Sequence, residues 1–206
     1  MLTRIKQTAF NLKRFITKKI APTNSFPFPS EFDANLYKKL YHDVIQYNPK
    51  DLYTHYLNHG IKEGRRANVL KTKLDFIDLI PKDKKILEIG PLCSPLVSGE
   101  NVFYFDIQNK EDLMLKAKSF GLSVKNASHI HFVSPIGNLE IVDECFDVVL
   151  SSHCIEHQPN LITHLSHIER LLNPGGYYFV LAPDKRYCFD HFIPESSLAQ
   201  VLEIQI

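Results

Sequence analysis

From Lys71 onward, short apolar runs alternate with longer amphipathic ones, and that alternation leaves few folds open. Residues 84–89, 102–106, 129–133, 146–151 and 177–182 read as five strands, each four to eight residues of mainly β-branched, aliphatic or aromatic side chains. Between and around them, residues 74–80, 111–120, 160–172 and 196–204 read as helices. Strands alternating with helices predict a parallel sheet covered on both faces. In such a sheet ligands gather at the carboxyl ends of the strands, so the residues closing each strand carry the functional reading.

The segment ahead of Lys71 is different. Residues 31–70 read as a small helical module, with Asp33 capping a helix that holds Leu36, Leu40 and Tyr41. Asp51 is placed to cap a second helix with Tyr53, Tyr56 and Leu57, and Gly60 and Gly64 are read as stops. Residues 1–30 form an arm and a linker. The arm holds Arg4, Lys6, Lys13, Arg14, Lys18 and Lys19 without one acid, among apolar residues near helical spacing; Pro22, Pro27 and Pro29 mark the linker. The expected domains are therefore 1–30, 31–70 and 71–206.

Charge matters through its distribution. The chain of 206 residues has a formal net charge of +1, and removing the arm leaves 18 of its 24 basic residues against all 23 acids. Attraction to anionic surfaces is thus confined to residues 1–20, which read either as a helix lying on anionic lipid or as a solvated leader. Nothing here argues for nucleic acid. Cys93, Cys145, Cys154 and Cys188 are scattered, without paired spacing, as expected of a reducing cytoplasm, and no run suits a signal peptide or a membrane span. The chain is expected to work in the cytoplasm, at the inner face of the membrane if the arm binds lipid.

The ends of the strands supply the chemistry. Residues 86–90 (Ile-Leu-Glu-Ile-Gly) put an acid and then a glycine where the backbone turns close to a ligand. A dinucleotide site would need the full Gly-x-Gly-x-x-Gly set to pass a pyrophosphate; Gly90 stands alone, which suits a nucleoside ligand without phosphate. Asp106 closes the second strand, where such folds place the acid that binds ribose hydroxyls.

In order along the chain come Glu88-Ile89-Gly90, Phe146-Asp147-Val148-Val149, Glu156-His157 and Leu172-Asn173-Pro174-Gly175-Gly176. Together they resemble the class I S-adenosylmethionine-dependent methyltransferases, a Rossmann-like α/β fold. Residues 183–190 (Pro-Asp-Lys-Arg-Tyr-Cys-Phe-Asp) resemble a branch of that family associated with bacterial surface polysaccharides. Within 31–70, Phe32-Asp33, Tyr37, Tyr41, Asp43-Val44, His55-Tyr56, Gly60 and Glu63-Gly64-Arg65 resemble a short module found beside bacterial glycosyltransferases. From the residues alone, the same stretch is a two-helix packing unit with an aromatic core.

The resemblance implies S-adenosylmethionine as cofactor, with Glu88, Gly90 and Pro91 toward its amino-acid end and sulfonium, and Asp106 on the ribose. It implies Asn138 and Leu139 near adenine, and Ser151 and His153 near the transferable methyl. Transfer to a hydroxyl also needs a base; His153 is the first candidate and Asp184 the second, while Lys185, Tyr187 and Asp190 would position a sugar or glycan acceptor. His153-x-x-Glu156-His157 formally matches an inverted zinc-protease signature, but it follows a strand directly and Pro159 limits any helix. No metal is therefore expected. His164 and His167 are expected on the surface.

A family domain has seven strands, and the residues after 182 hold no hairpin, so the sheet is expected to be short after its fifth strand and its edge to need cover. A partner chain or a homodimer would supply that cover. The rival function is accordingly a non-catalytic subunit that binds a fuller enzyme or a glycosyltransferase.

Overall fold

In the computed structural model residues 32–203 are described. The arm and the linker expected over residues 1–30 lie outside them. The chain divides between residues 81 and 82 into two compact units.

The first unit is helical. Helix α1 (Ala34–Leu40) starts at Asp33, whose carboxylate accepts from the amides of Asn35 (2.9 Å) and Leu36 (3.0 Å), as the sequence predicts. Helix α2 (Pro49–His55) is capped three residues before the expected Asp51, because Asn48 accepts from the amides of Lys50 (3.0 Å) and Asp51 (3.1 Å). Pro49 dictates this start: its ring fixes φ and removes a donor, so it belongs in the first turn. Asp51 then sits where an acid favours the helix dipole.

Gly60 is not a stop. It lies inside a π-helical turn, Tyr56–Gly60, and a Cβ there would stand 2.5 Å from the Tyr37 hydroxyl. Gly64, at φ +68°, is the residue that ends the segment. Tyr37, Val44 and Leu52 are fully buried, and Phe32, Tyr41 and Tyr56 pack around them. Arg65 closes the unit from outside: it lies 4.8 Å above the Tyr41 ring and pairs with both oxygens of Asp43 at 2.9 and 2.7 Å. That pairing holds the Asp43 carboxyl below its ordinary range. Helix α3 (Lys73–Ile77) carries a complete capping box between Thr72 and Asp75. It is shorter than the covering helix expected over 74–80, and it groups with this unit rather than with the sheet.

The second unit is a Rossmann-like α/β sheet. Its strands are β1 (Ile86–Ile89), β2 (Val102–Asp106), β3 (Phe132–Val133), β4 (Phe146–Ser152) and β5 (Leu172–Leu181), all parallel, in the order β3-β2-β1-β4-β5. Helix α4 (Lys110–Ser119) follows β2, α5 (Leu161–Leu171) follows β4, and α6 (Leu198–Glu203) follows β5. All four residues of β1 are buried, as a central strand covered on both faces requires. Leu87, Ile89, Phe105, Phe146 and Val149 from the sheet pack with Ile168 and Leu171 of α5 and with Leu139 and Val142. Each such aliphatic side chain contributes about 2 kcal/mol by leaving water.

Two strands depart from expectation for local reasons. β3 was expected over 129–133, but His131 uses its ring: Nδ1 accepts the Tyr104 amide at 3.1 Å, while the His131 amide donates to the Tyr104 carbonyl. A side chain thus occupies a ladder position, and regular pairing begins only at Phe132. β5 begins at Leu172, five residues early, because the Asn-Pro-Gly-Gly stretch forms a register shift opposite Phe146–Val148 instead of a separate turn. Asn173 holds that shift by donating to Asp147 Oδ1 at 3.0 Å. Among the described residues no strand pairs with the outer edge of β5. No described helix is long and apolar enough to cross a membrane.

Candidate functional site

The strand order reverses between β1 and β4, and a cavity of about 680 Å³ opens there at the carboxyl ends of the strands. Gly90, Asp106, Asn138, Leu139 and His153 line it, together with Cys154 and, from α5, Thr163, His164 and His167.

Two buried acids stand near the switch point, and one of them lines the cavity. Asp106 closes β2, with Oδ1 accepting the Ile107 amide at 2.7 Å and Oδ2 the Leu92 amide at 3.2 Å. Burial pushes its pKa up, against the lowering effect of those amides. Glu88, at the centre of β1, faces the other way. Its carboxylate accepts the Leu96 amide at 2.8 Å and the Val97 amide at 3.3 Å, so it ties down the loop after β1 and does not line the cavity. Tyr104 helps by donating to the Val97 carbonyl at 2.8 Å.

The backbone is strained at both sides of the switch point. Among the described residues, Leu92 (φ +51°) and His153 (φ +54°) are the non-glycine residues with left-handed backbone, one after β1 and one after β4. For a leucine this conformation costs about 1–2 kcal/mol, and it aims the Leu92 amide at Asp106. Gly90, at φ +71°, carries its own requirement: a Cβ would run into Cys154 Sγ. That thiol points to the Ile89 and Ser152 carbonyls at 3.3 Å each, and burial pushes its pKa up to about 12. It fills space as an uncharged group.

On the opposite wall, Asn138 caps the turn Leu139–Ile141 by accepting the Glu140 amide at 2.9 Å. Helix α5 is latched to this turn by Arg170, which donates to the carbonyls of Leu139 and Val142 at 2.8 Å each. His164 is not a surface residue: it is 5% exposed, and its Nε2 lies 3.0 Å from the Tyr178 hydroxyl. Burial, helped by His167, pushes its pKa down to about 4. Sequence reading missed His164 and Tyr178. The available signal was spacing, since position 164 falls between Leu161 and Ile168 on the core face of α5.

Pro91 and Ser151 are buried close to the switch point but do not line the cavity. Ser151 Oγ is 2.8 Å from the Tyr178 hydroxyl. Asp184, Lys185, Tyr187 and Asp190 lie beyond β5, none of them in the lining. The Asp184 carboxylate caps the turn Lys185–Tyr187 and is engaged by the Arg186 guanidinium, which holds its pKa down; Tyr187 is 85% exposed. The His153–His157 run is not a regular helix. Ile155–His157 is a single 3-10 turn, and Glu156 Oε1 lies 3.8 Å from His153 Nδ1 and 3.9 Å from His157 Nε2.

The fold and its cavity define a Rossmann-like α/β protein with an open site at the switch point. Residues 90–180 are similar to a family model described as a methyltransferase domain, a family whose typical methyl donor is S-adenosylmethionine. A 44-residue stretch is 46% identical to part of a highly reducing polyketide synthase of Purpureocillium lilacinum. It covers 20% of this chain and 2% of that protein, so it marks a shared segment and carries no argument about substrate.

Proposed function

We propose that the sheet unit binds S-adenosylmethionine in the switch-point cavity and methylates a hydroxyl of a sugar or glycan. The observation that carries the reading is Asp106: a desolvated carboxylate at the end of β2, lining a cavity whose described lining holds no lysine or arginine. A phosphate-bearing dinucleotide would find no cationic partner there. The hydroxyls of a nucleoside can donate to Asp106, and its base fits between Ile107, Ile136 and Leu139. The ligand supplies an activated methyl group when bound.

The chain's own residues do the rest. Gly90 lets the backbone approach the ligand without a side chain between them, and the loop held by Glu88 and Asp106 keeps that approach in place. His153 stands at the rim with Glu156 toward its Nδ1, which leaves Nε2 to take the acceptor proton. The polar amides and hydroxyl of the remaining lining (Asn160, Gln158 and Thr163) suit a polyhydroxylated acceptor. The resemblance of residues 183–190 and of the helical module to polysaccharide-associated proteins supports a glycan.

A second reading is a subunit that becomes active only with a partner. It is favoured by the distance in the chain's architecture between the cavity and Asp184, Lys185, Tyr187 and Asp190, and by the β5 edge left unpaired among the described residues. Calorimetric titration with S-adenosylmethionine and S-adenosylhomocysteine, on wild type and Asp106→Ala, tests the first reading. Micromolar binding with at least a tenfold loss in the variant, about 1.4 kcal/mol, is expected. Absence of binding by folded wild type would sink it. Binding without methyl transfer to any sugar or lipid-linked glycan would favour the partner-dependent reading.

A further inference from the structure

Three polar side chains stand in line behind the cavity wall: Ser151 Oγ on β4, the Tyr178 hydroxyl on β5 and His164 Nε2 on α5, at successive spacings of 2.8 and 3.0 Å. Either hydroxyl can donate in either direction, but the end of the line decides. Ser151 is wholly buried, and Tyr178 is the hydrogen-bond partner of its Oγ among the described residues. If the imidazole donated to Tyr178, the tyrosine would donate to Ser151, and the serine proton would be buried without an acceptor. The opposite direction leaves only a lone pair unfilled, which is the smaller cost. The line therefore runs from Ser151 to Tyr178 to His164 Nε2, and the imidazole proton sits on Nδ1.

That Nδ1–H makes no hydrogen bond to the protein among the described residues, and the ring lines the cavity. Arg170 latches α5 to the turn bearing Leu139, so the imidazole stands on a helix braced to the part of the lining that also holds the apolar Ile107, Ile136 and Leu139. Apolar lining residues beside a donor fixed in one orientation are complementary to a flat heterocycle that carries a lone-pair nitrogen.

Resting on the function proposed above, we propose that His164 is a binding residue whose Nδ1–H donates to a purine ring nitrogen of the cavity's nucleoside ligand, with Tyr178 and Ser151 as positioning residues that select its tautomer. Burial keeps the arrangement in one protonation state, since it pushes His164 down to about 4 and Tyr178 up to about 12. The lining holds no second donor from α5 that is fixed through the sheet in this way.

Two measurements on the whole chain test this. Imidazole nitrogen NMR of the ligand-free protein should find His164 as the Nδ1–H tautomer; an Nε2–H tautomer overturns the proposal. Titration with S-adenosylhomocysteine should give at least a tenfold loss for His164→Leu. His164→Asn, whose amide nitrogen falls near the Nδ1 position, should bind within threefold of wild type. Tyr178→Phe should mix the two tautomers and weaken binding at least threefold while its near-ultraviolet circular dichroism stays native. Wild-type binding with an unchanged Tyr178→Phe or His164→Leu titration overturns this inference alone. No binding by folded wild type removes the proposed function, and the ligand assignment with it.

Discussion

The two units of this chain solve the same problem with different means. The core cluster described in the helical unit is small, Tyr37, Val44 and Leu52, and it closes with rings and a half-buried guanidinium: Arg65 over Tyr41 and onto Asp43. The sheet unit buries a continuous set of apolar side chains from β1, β2, β4 and α5, and so can also hold Glu88, Asp106, Ser151 and His164 inside. Desolvated polar groups are costly, and a three-residue core has no surplus to hold them. Where burial is abundant, a fold can keep polar groups poised for a ligand. Where it is scarce, polar groups stay at the rim and serve packing.

The largest effect that would sharpen this contrast comes from Gly90→Ala. The new Cβ meets Cys154 Sγ and demands a left-handed alanine, so a loss of about 2–4 kcal/mol in chemical denaturation is expected, with ligand binding abolished. A variant within 0.5 kcal/mol of wild type would show that the switch-point loop is soft. Gly60→Ala is the matching change in the helical unit, where the Cβ meets the Tyr37 hydroxyl and Tyr56. We expect about 1–3 kcal/mol, seen as early loss of the helical signal while S-adenosylhomocysteine binding persists. Simultaneous loss of both would contradict two separately packed units.

The buried histidine predicts a pH dependence. The unfolded His164 takes a proton near 6.5 and the folded one only near 4, so the unfolded state binds more protons between those values. Stability therefore falls as pH drops from 6.5 toward 4, by on the order of 2 kcal/mol, and recovers above 6.5. Urea midpoints measured across this range should flatten in His164→Asn; an equally steep variant would assign the slope elsewhere. The smallest effect is expected from Leu92→Gly. Removing the left-handed strain stabilises by about 1 kcal/mol, and glycine's added chain entropy takes back about the same. A near-zero change with the Asp106 contact retained is the expected outcome, while a loss above 1 kcal/mol would mean that the leucine side chain supports the loop.

The strand positions were legible because a parallel sheet buries both faces of its central strands, and continuous runs such as Ile86–Ile89 and Phe146–Ser152 have few other uses. Asp106 and Gly90 were legible as cavity-lining residues for a related reason: they sit at strand ends, where a parallel sheet opens its cavity. Glu88 was read as a ligand contact, but the structure directs it into its own loop, since an acid buried within a strand satisfies itself with the nearest free amides. The early start of β5 and the late start of β3 were not legible, because each depends on a partner across the sheet: Asp147 for one, Tyr104 for the other.

By itself, then, the sequence determined the alternation of strand and helix, the cap at Asp33, and the acid and glycine that close the first two strands. These follow from forces acting over a few residues, where periodicity and capping leave little choice. Only the tertiary structure decided that His164 lies inside, that Ser151 and Tyr178 complete its line, and that Asp184 stands away from the cavity. Those outcomes bring together residues 14 and 27 positions apart, and no local rule states which polar groups will share a buried space. That choice belongs to the packing of α5 against the sheet, where each buried donor must find its acceptor.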